Sequence, residues 1–183
     1  MFFRNSLIEY CSPTLASLKV ASLFRYYYDS ILELNEMINH EKKWLSQKGI
    51  YIEIITIDEK SALIYIFRKN QLQEVLNKQD IQHFLKNIGY TYFSIEDCLN
   101  TLKKHFQNNP CPHEIGVFLG YPLSDVVSFI ENKGQNCQCC GYWKVYHNKN
   151  EALAIFSKFK KCTEIYKRLF SEGTSIQKLT VSV

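Results

Sequence analysis

Glycine and proline are scarce, seven and four among 183 residues. So little breaker content leaves no room for long flexible linkers, and a single domain spanning residues 1–183 is the expectation. No run approaches the 18 consecutive apolar residues of a membrane helix. The opening "MFFRNSLIEYC" has neither the charged start nor the long apolar run of a secretory signal. These absences predict a cytoplasmic protein with no membrane partner, its thiols held reduced. Seven cysteines are an odd number and too sparse for a disulfide scaffold.

Charge of either sign is also limited. The net charge is +4; residues 131–183 hold nine Lys/Arg against four Asp/Glu, and residues 51–130 hold seven against nine. That tilt permits an acidic or protein partner but falls short of the basic density of a nucleic-acid binder. Several motifs are missing. No G-x-G-x-x-G or G-K-[ST] phosphate loop is present, and no H-E-x-x-H. The deaminase pattern H-x-E fails because Ile115 follows His113-Glu114. There is no internal repeat and no low-complexity tract.

Apolar residues make up 46% of the chain and aromatics 14%, as in a folded protein. Ser12 and Pro13 have the chemistry of a helix start, predicting a helix through "PTLASLKVASLFRYYY". A second helix should run over "SILELNEMINHEKKWLSQKG" and end at Gly49. The β-branched and aromatic runs at 50–57 and 62–68 predict a hairpin. A helix or broken helix pair should follow to Gly89, and then a helix opened by the Ser94/Asp97 capping box. Residues 113–133 read as a short helix, a Gly120-Tyr121-Pro122 turn and a second helix, and "YWKVY" (142–146) as a short strand beside or capping the hairpin. The last helix places Ala152, Ile155, Phe159, Cys162, Tyr166 and Leu169 on one stripe before Gly173. The fold class is therefore α+β: a small, mainly antiparallel sheet covered by helices.

Candidate chemistry concentrates between Cys111 and Cys140. Cys111 and His113 form C-x-H, and Cys137 and Cys140 form C-x-x-C with Cys139 between them. Two ligand pairs on separate turns can build a four-coordinate site, and zinc or iron is the cofactor such a set would take. The spacing matches no standard finger, since 23 residues and two helices intervene. A thioredoxin-like site is disfavoured, because this C-x-x-C leads into a strand instead of opening a helix. As catalytic candidates, His113 could activate a thiol, Glu114 could orient or charge His113, and Cys11, beside the Ser12 cap, could be a lowered-pKa thiolate. Cys98 and Cys162 lie in apolar stripes and read as core. The 113–133 pair has the outline of a helix-turn-helix, but its second helix offers Asp125 and Glu131 against Lys133 alone, so a packing hairpin is preferred to a DNA reader.

The blocks "YCSPTLASLKVASLF", "PHEIGVFLGYPLSDVVSFIENKG", "CQCCGYWKVY", "FSKFKKCTEIYKRLFSEGTSI" and "LTVSV" resemble, in this order, an uncharacterised bacterial family, domain of unknown function 3793 (DUF3793), found mainly in anaerobic Gram-positive lineages. The resemblance implies no activity, cofactor or catalytic residue. By motif it falls on Cys11 to Leu15, Pro112-His113-Glu114, Gly116, Gly120-Tyr121-Pro122, Gly141 to Tyr146, and Lys161-Cys162. It implies variability around Cys137 to Cys140, which draws attention to Cys11, His113 and Cys162. Two readings stay open: a non-enzymatic accessory or interaction module, which is favoured, and a thiol- or metal-dependent protein, an enzyme included. A pocket lined by Cys11, His113 and Tyr142 or Trp143 would favour the second.

Overall fold

The structure is a computed structural model and describes residues 2–182. It is α+β and divides into two compact units: residues 2–72 with 162–182, and residues 73–161.

The first unit is built on a three-stranded antiparallel sheet in the order β1 (Ala21–Tyr27), β3 (Ser61–Arg68), β2 (Ile50–Ile57). The hairpin β2–β3 is the one expected from sequence, with a bulge between Ile54 and Thr56. The central strand β3 is buried along nearly its whole length, which is why its sequence is apolar on both faces. Helices α1 (Phe2–Leu15) and α2 (Ile31–Leu45) join the sheet in one core that includes Leu7, Cys11, Leu15, Phe24, Ile38, Ile52, Ile64 and Ile66. The short α9 (Ile176–Leu179) adds Ile176 and Leu179. A 3-10 turn (Ser46–Lys48) ends α2, and Gly49 takes the left-handed conformation there at φ 73°.

The chain start departs from the sequence expectation. Ser12 and Pro13 do not open a helix: Pro13 lies in the last turn of α1, and "ASLFRYY" is strand β1. Proline lacks the N–H that would bond back to the preceding turn, so it weakens the helix where it ends. The carbonyl of Pro13 then accepts from Leu18 and Lys19 N–H, and Ser17 adopts φ 61°, reversing the chain. The strand is completed by pairing from Ala21↔Phe67 to Tyr27↔Ser61, a partner that local sequence does not reveal.

Arg68, at the end of β3, is 1% exposed. Its Nε donates to the Thr14 carbonyl (2.6 Å), and one terminal nitrogen donates to the carbonyls of Leu15 (2.7 Å) and Val181 (2.9 Å). The guanidinium therefore caps the C-terminus of α1, where the backbone leaves carbonyls unpaired and a cation is favoured.

The second unit contains α4 (Gln79–Asn87), α5 (Ile95–Asn108), α6 (Ile115–Phe118), α7 (Leu123–Glu131) and a two-stranded antiparallel ribbon of β4 (Cys139–Cys140) and β5 (Lys144–Val145). The segment from Asn70 to Gly89 is the broken pair, α3 (Lys69–Leu76) and α4, with α3 crossing the unit boundary. Ser94 caps α5 as the capping box requires, accepting from Asp97 N–H at 3.1 Å. Within "YWKVY" the strand is β5, which pairs with β4 in a separate ribbon and does not lie beside the hairpin as one expected arrangement had it. The long α8 (Lys149–Ser171) gives its residues up to Lys161 to the second unit and the rest to the first. Among the described residues no helix is long and apolar enough to cross a membrane.

Candidate functional site

The site lies within the second unit, where α6, α7 and the β4–β5 ribbon surround a pocket of about 430 Å³. Close approach on the α6 side depends on Gly116: a Cβ there would meet Val126 Cγ2 at 2.7 Å and the Tyr121 ring at 3.3 Å. On the ribbon side, a Cβ at Gly141 would fall 2.2 Å from ring carbons of Phe156.

Asp125 ties the pocket together. It is 3% exposed, in the first turn of α7, and its Oδ1 accepts the backbone N–H groups of Tyr146 and His147, both at 2.9 Å. Its Oδ2 accepts from Trp143 Nε1 at 2.8 Å. Asp125 is thus not the surface charge that the helix-turn-helix comparison supposed; α6 is also a single four-residue turn. Trp143, held this way, stacks on Tyr121 with centroids 5.1 Å apart and meets Phe156 edge-on at 4.5 Å. Burial pushes the Tyr121 phenol up to about 12. Opposite, the exposed His113 packs edge-on against Phe129 at 5.1 Å. Lys144 Nζ sits 5.7 Å over the Phe129 ring and donates to the Gly134 carbonyl at 2.6 Å. The pocket therefore has aromatic sides and a cationic edge.

The candidate residues are partly assembled. Cys111, His113 and Cys140 line this pocket together with Trp143, while Cys11 belongs to the other unit. The ribbon register sorts the thiols. Cys140 stands opposite Lys144 on the pocket face, whereas Cys139 stands opposite Val145 and packs with Val145, Ala152 and Phe156. Cys137 Sγ lies 3.5 Å from Cys140 Sγ. The Cys140 pKa is raised, first by the hydrogen bond with Cys137, with Lys144 pulling the other way. Among the described residues no group of three or more His, Cys, Asp or Glu side chains is placed to hold a metal ion.

Two assigned roles change. Glu114 does not orient His113: its Oε1 accepts from His105 Nδ1 at 2.5 Å and from the Tyr90 hydroxyl at 3.3 Å. Burial, then the Glu114 carboxylate, holds the Tyr90 phenol far above its ordinary range. Cys11 does not sit at a helix N-terminus; it lies ten residues into α1, near the negative end of the helix dipole. Burial pushes its thiol up to about 12, against smaller opposing effects of Lys19 and a Ser22 hydrogen bond. Burial likewise pushes Cys98 and Cys162 up to about 11.

Native alkylation should follow this division. At pH 8 a thiol of pKa about 12 is ionised only about once in 10⁴ molecules. Iodoacetamide should modify Cys111 and Cys140 in the folded protein and reach Cys11, Cys98 and Cys162 only after denaturation. Peptide mapping that finds Cys11 modified as fast as Cys111 would contradict the assignment.

Sequence reasoning did not single out Tyr121, Phe129 or the structural part of Asp125. Tyr121 had a signal, as the centre of the Gly-Tyr-Pro turn; Asp125 had none locally, because its partners lie about twenty positions on. A family model described as "Protein of unknown function (DUF3793)" matches residues 7–180. No curated protein and no solved structure matches the chain.

Proposed function

The chain belongs to the DUF3793 family, and we propose that it is a cytoplasmic, non-enzymatic accessory protein that binds a small planar aromatic anion in the pocket of its second unit. The observation that carries this reading is the pocket's construction: a stacked Tyr121–Trp143 face, Phe129 opposite, and Lys144 supplying positive charge at the edge. Largely apolar concavities with a few convergent polar groups are the usual form of ligand sites. Asp125 keeps its negative charge, but it is 3% exposed and both its oxygens are engaged by protein N–H donors. An odd number of cysteines, three of them buried singly, supports a reducing compartment.

The probe is 8-anilinonaphthalene-1-sulfonate, an aromatic anion of about 21 non-hydrogen atoms. At about −0.3 kcal/mol per atom its Kd should fall in the tens of micromolar. Saturable fluorescence enhancement is expected with the native protein, weakened about tenfold by Lys144→Glu and by Phe129→Ala. The uncharged 1-anilinonaphthalene should be indifferent to Lys144→Glu. No saturable binding, or binding that neither substitution changes, would overturn the reading.

A further inference from the structure

We propose that Cys137 and Cys140 form a redox-active dithiol that exchanges with low-molecular-weight disulfides, Cys140 being the attacking thiol and Cys137 the resolving one. The geometry carries the assignment. The two sulfurs are 3.5 Å apart and need to close by only about 1.5 Å to reach the length of a disulfide. They differ in access: Cys140 is exposed and lines the pocket, whereas Cys137 is half-buried and does not. Attack on a small disulfide seated there therefore falls to Cys140.

A second observation is independent of the sulfur spacing. Lys144 stands opposite Cys140 across the ribbon, and its positive charge favours the Cys140 thiolate against the raising effects of Cys137 and burial.

The exchange balances as follows. Cys140, as thiolate, attacks one sulfur of R–S–S–R; the protein–S–S–R bond forms, the S–S bond of the substrate breaks, and R–S⁻ leaves with the electron pair. Cys137, as thiolate, then attacks Cys140 Sγ, forming the Cys137–Cys140 disulfide and expelling the second R–S⁻. The two protons lost from the protein thiols end on two R–SH, and two electrons pass from the dithiol to the substrate disulfide. This activity is separate from ligand binding: it needs the two thiols, and it stands even if the aromatic anion does not bind.

The test uses the full chain, reduced, freed of reductant without air, and equilibrated with graded ratios of oxidised to reduced glutathione. After acid quenching and alkylation, peptide mapping reads each thiol. Cys111, exposed and unpaired with another sulfur in the structure, is the internal reference. Because the second step is intramolecular, the Cys137–Cys140 disulfide should form at a glutathione ratio about a hundredfold lower than the one that half-modifies Cys111. Cys137→Ser should trap glutathione on Cys140, and Cys140→Ser should prevent disulfide formation. Circular dichroism confirms that each variant is folded. Glutathione on Cys137 and Cys140 individually, at the ratio that modifies Cys111, overturns the proposal, as does a disulfide mapped between Cys111 and Cys140.

Discussion

Replacing Arg68 by methionine is expected to cost about 3–5 kcal/mol, the largest effect of any single substitution considered. Methionine keeps much of the buried bulk but none of the donors, so the carbonyls of Thr14, Leu15 and Val181 lose their charged partner. A buried acceptor left unpaired costs about 1–3 kcal/mol. Val181 N–H still donates to Leu15 and partly offsets the loss there. Relief of a buried cation, with one terminal nitrogen unpaired in the wild type, offsets a further part. With a urea slope of about 2 kcal/mol per M, the midpoint should fall by about 2 M. Arg68→Lys should recover less than half, because an ammonium cannot reproduce the fork that spans three carbonyls. A midpoint within about 0.3 M of wild type for Arg68→Met would show that the capping is energetically idle.

Asp125→Ala should have the second-largest effect, about 3 kcal/mol, confined to the second unit. Three donors lose one acceptor group at once: the Trp143 indole and the backbone N–H groups of Tyr146 and His147. Two of these sit on residues that are buried or half-buried, so water repays only part of the loss. Asp125→Asn should fall between the two proteins: the amide oxygen can serve the backbone pair, but its NH₂ then meets the indole N–H, donor against donor. Trp143 emission should shift to the red in both variants, read in a Trp44→Phe background to remove the other tryptophan. Aromatic-anion binding should weaken in the order Asn, then Ala. Unchanged emission and binding in Asp125→Ala would remove Asp125 from the construction of the pocket.

These two residues also mark where local sequence stops being informative. The hairpin and the helical stop at Gly49 could be read directly, because alternation and a left-handed glycine are local properties. Strand β1 could not, because its small and aromatic residues suit a helix as well, and its pairing partner lies some forty positions away. Arg68 closes an apolar strand, and the carbonyls that justify its burial come from α1 and from the chain's last segment. In the site, proximity in sequence misled: Glu114 adjoins His113 but turns to His105 and Tyr90. For the thiols the strand Cys139–Cys140 was not expected from sequence, and it is what separates them. Consecutive strand residues face opposite ways, so Cys139 and Cys140 could not both have joined one cluster.

The two-part composition of the first unit bears on the order of assembly during synthesis. Its sheet and both large helices lie before residue 73, yet Ile176, Leu179 and the Val181 carbonyl that meets Arg68 come from the final segment. The second unit is continuous, from Gln73 to Lys161. Domains made on the ribosome ordinarily complete from the N-terminus onward. Here the interior unit has all of its residues first, while the nascent sheet lacks part of its core, and Arg68 one of its carbonyls, until the residues after Lys161 emerge.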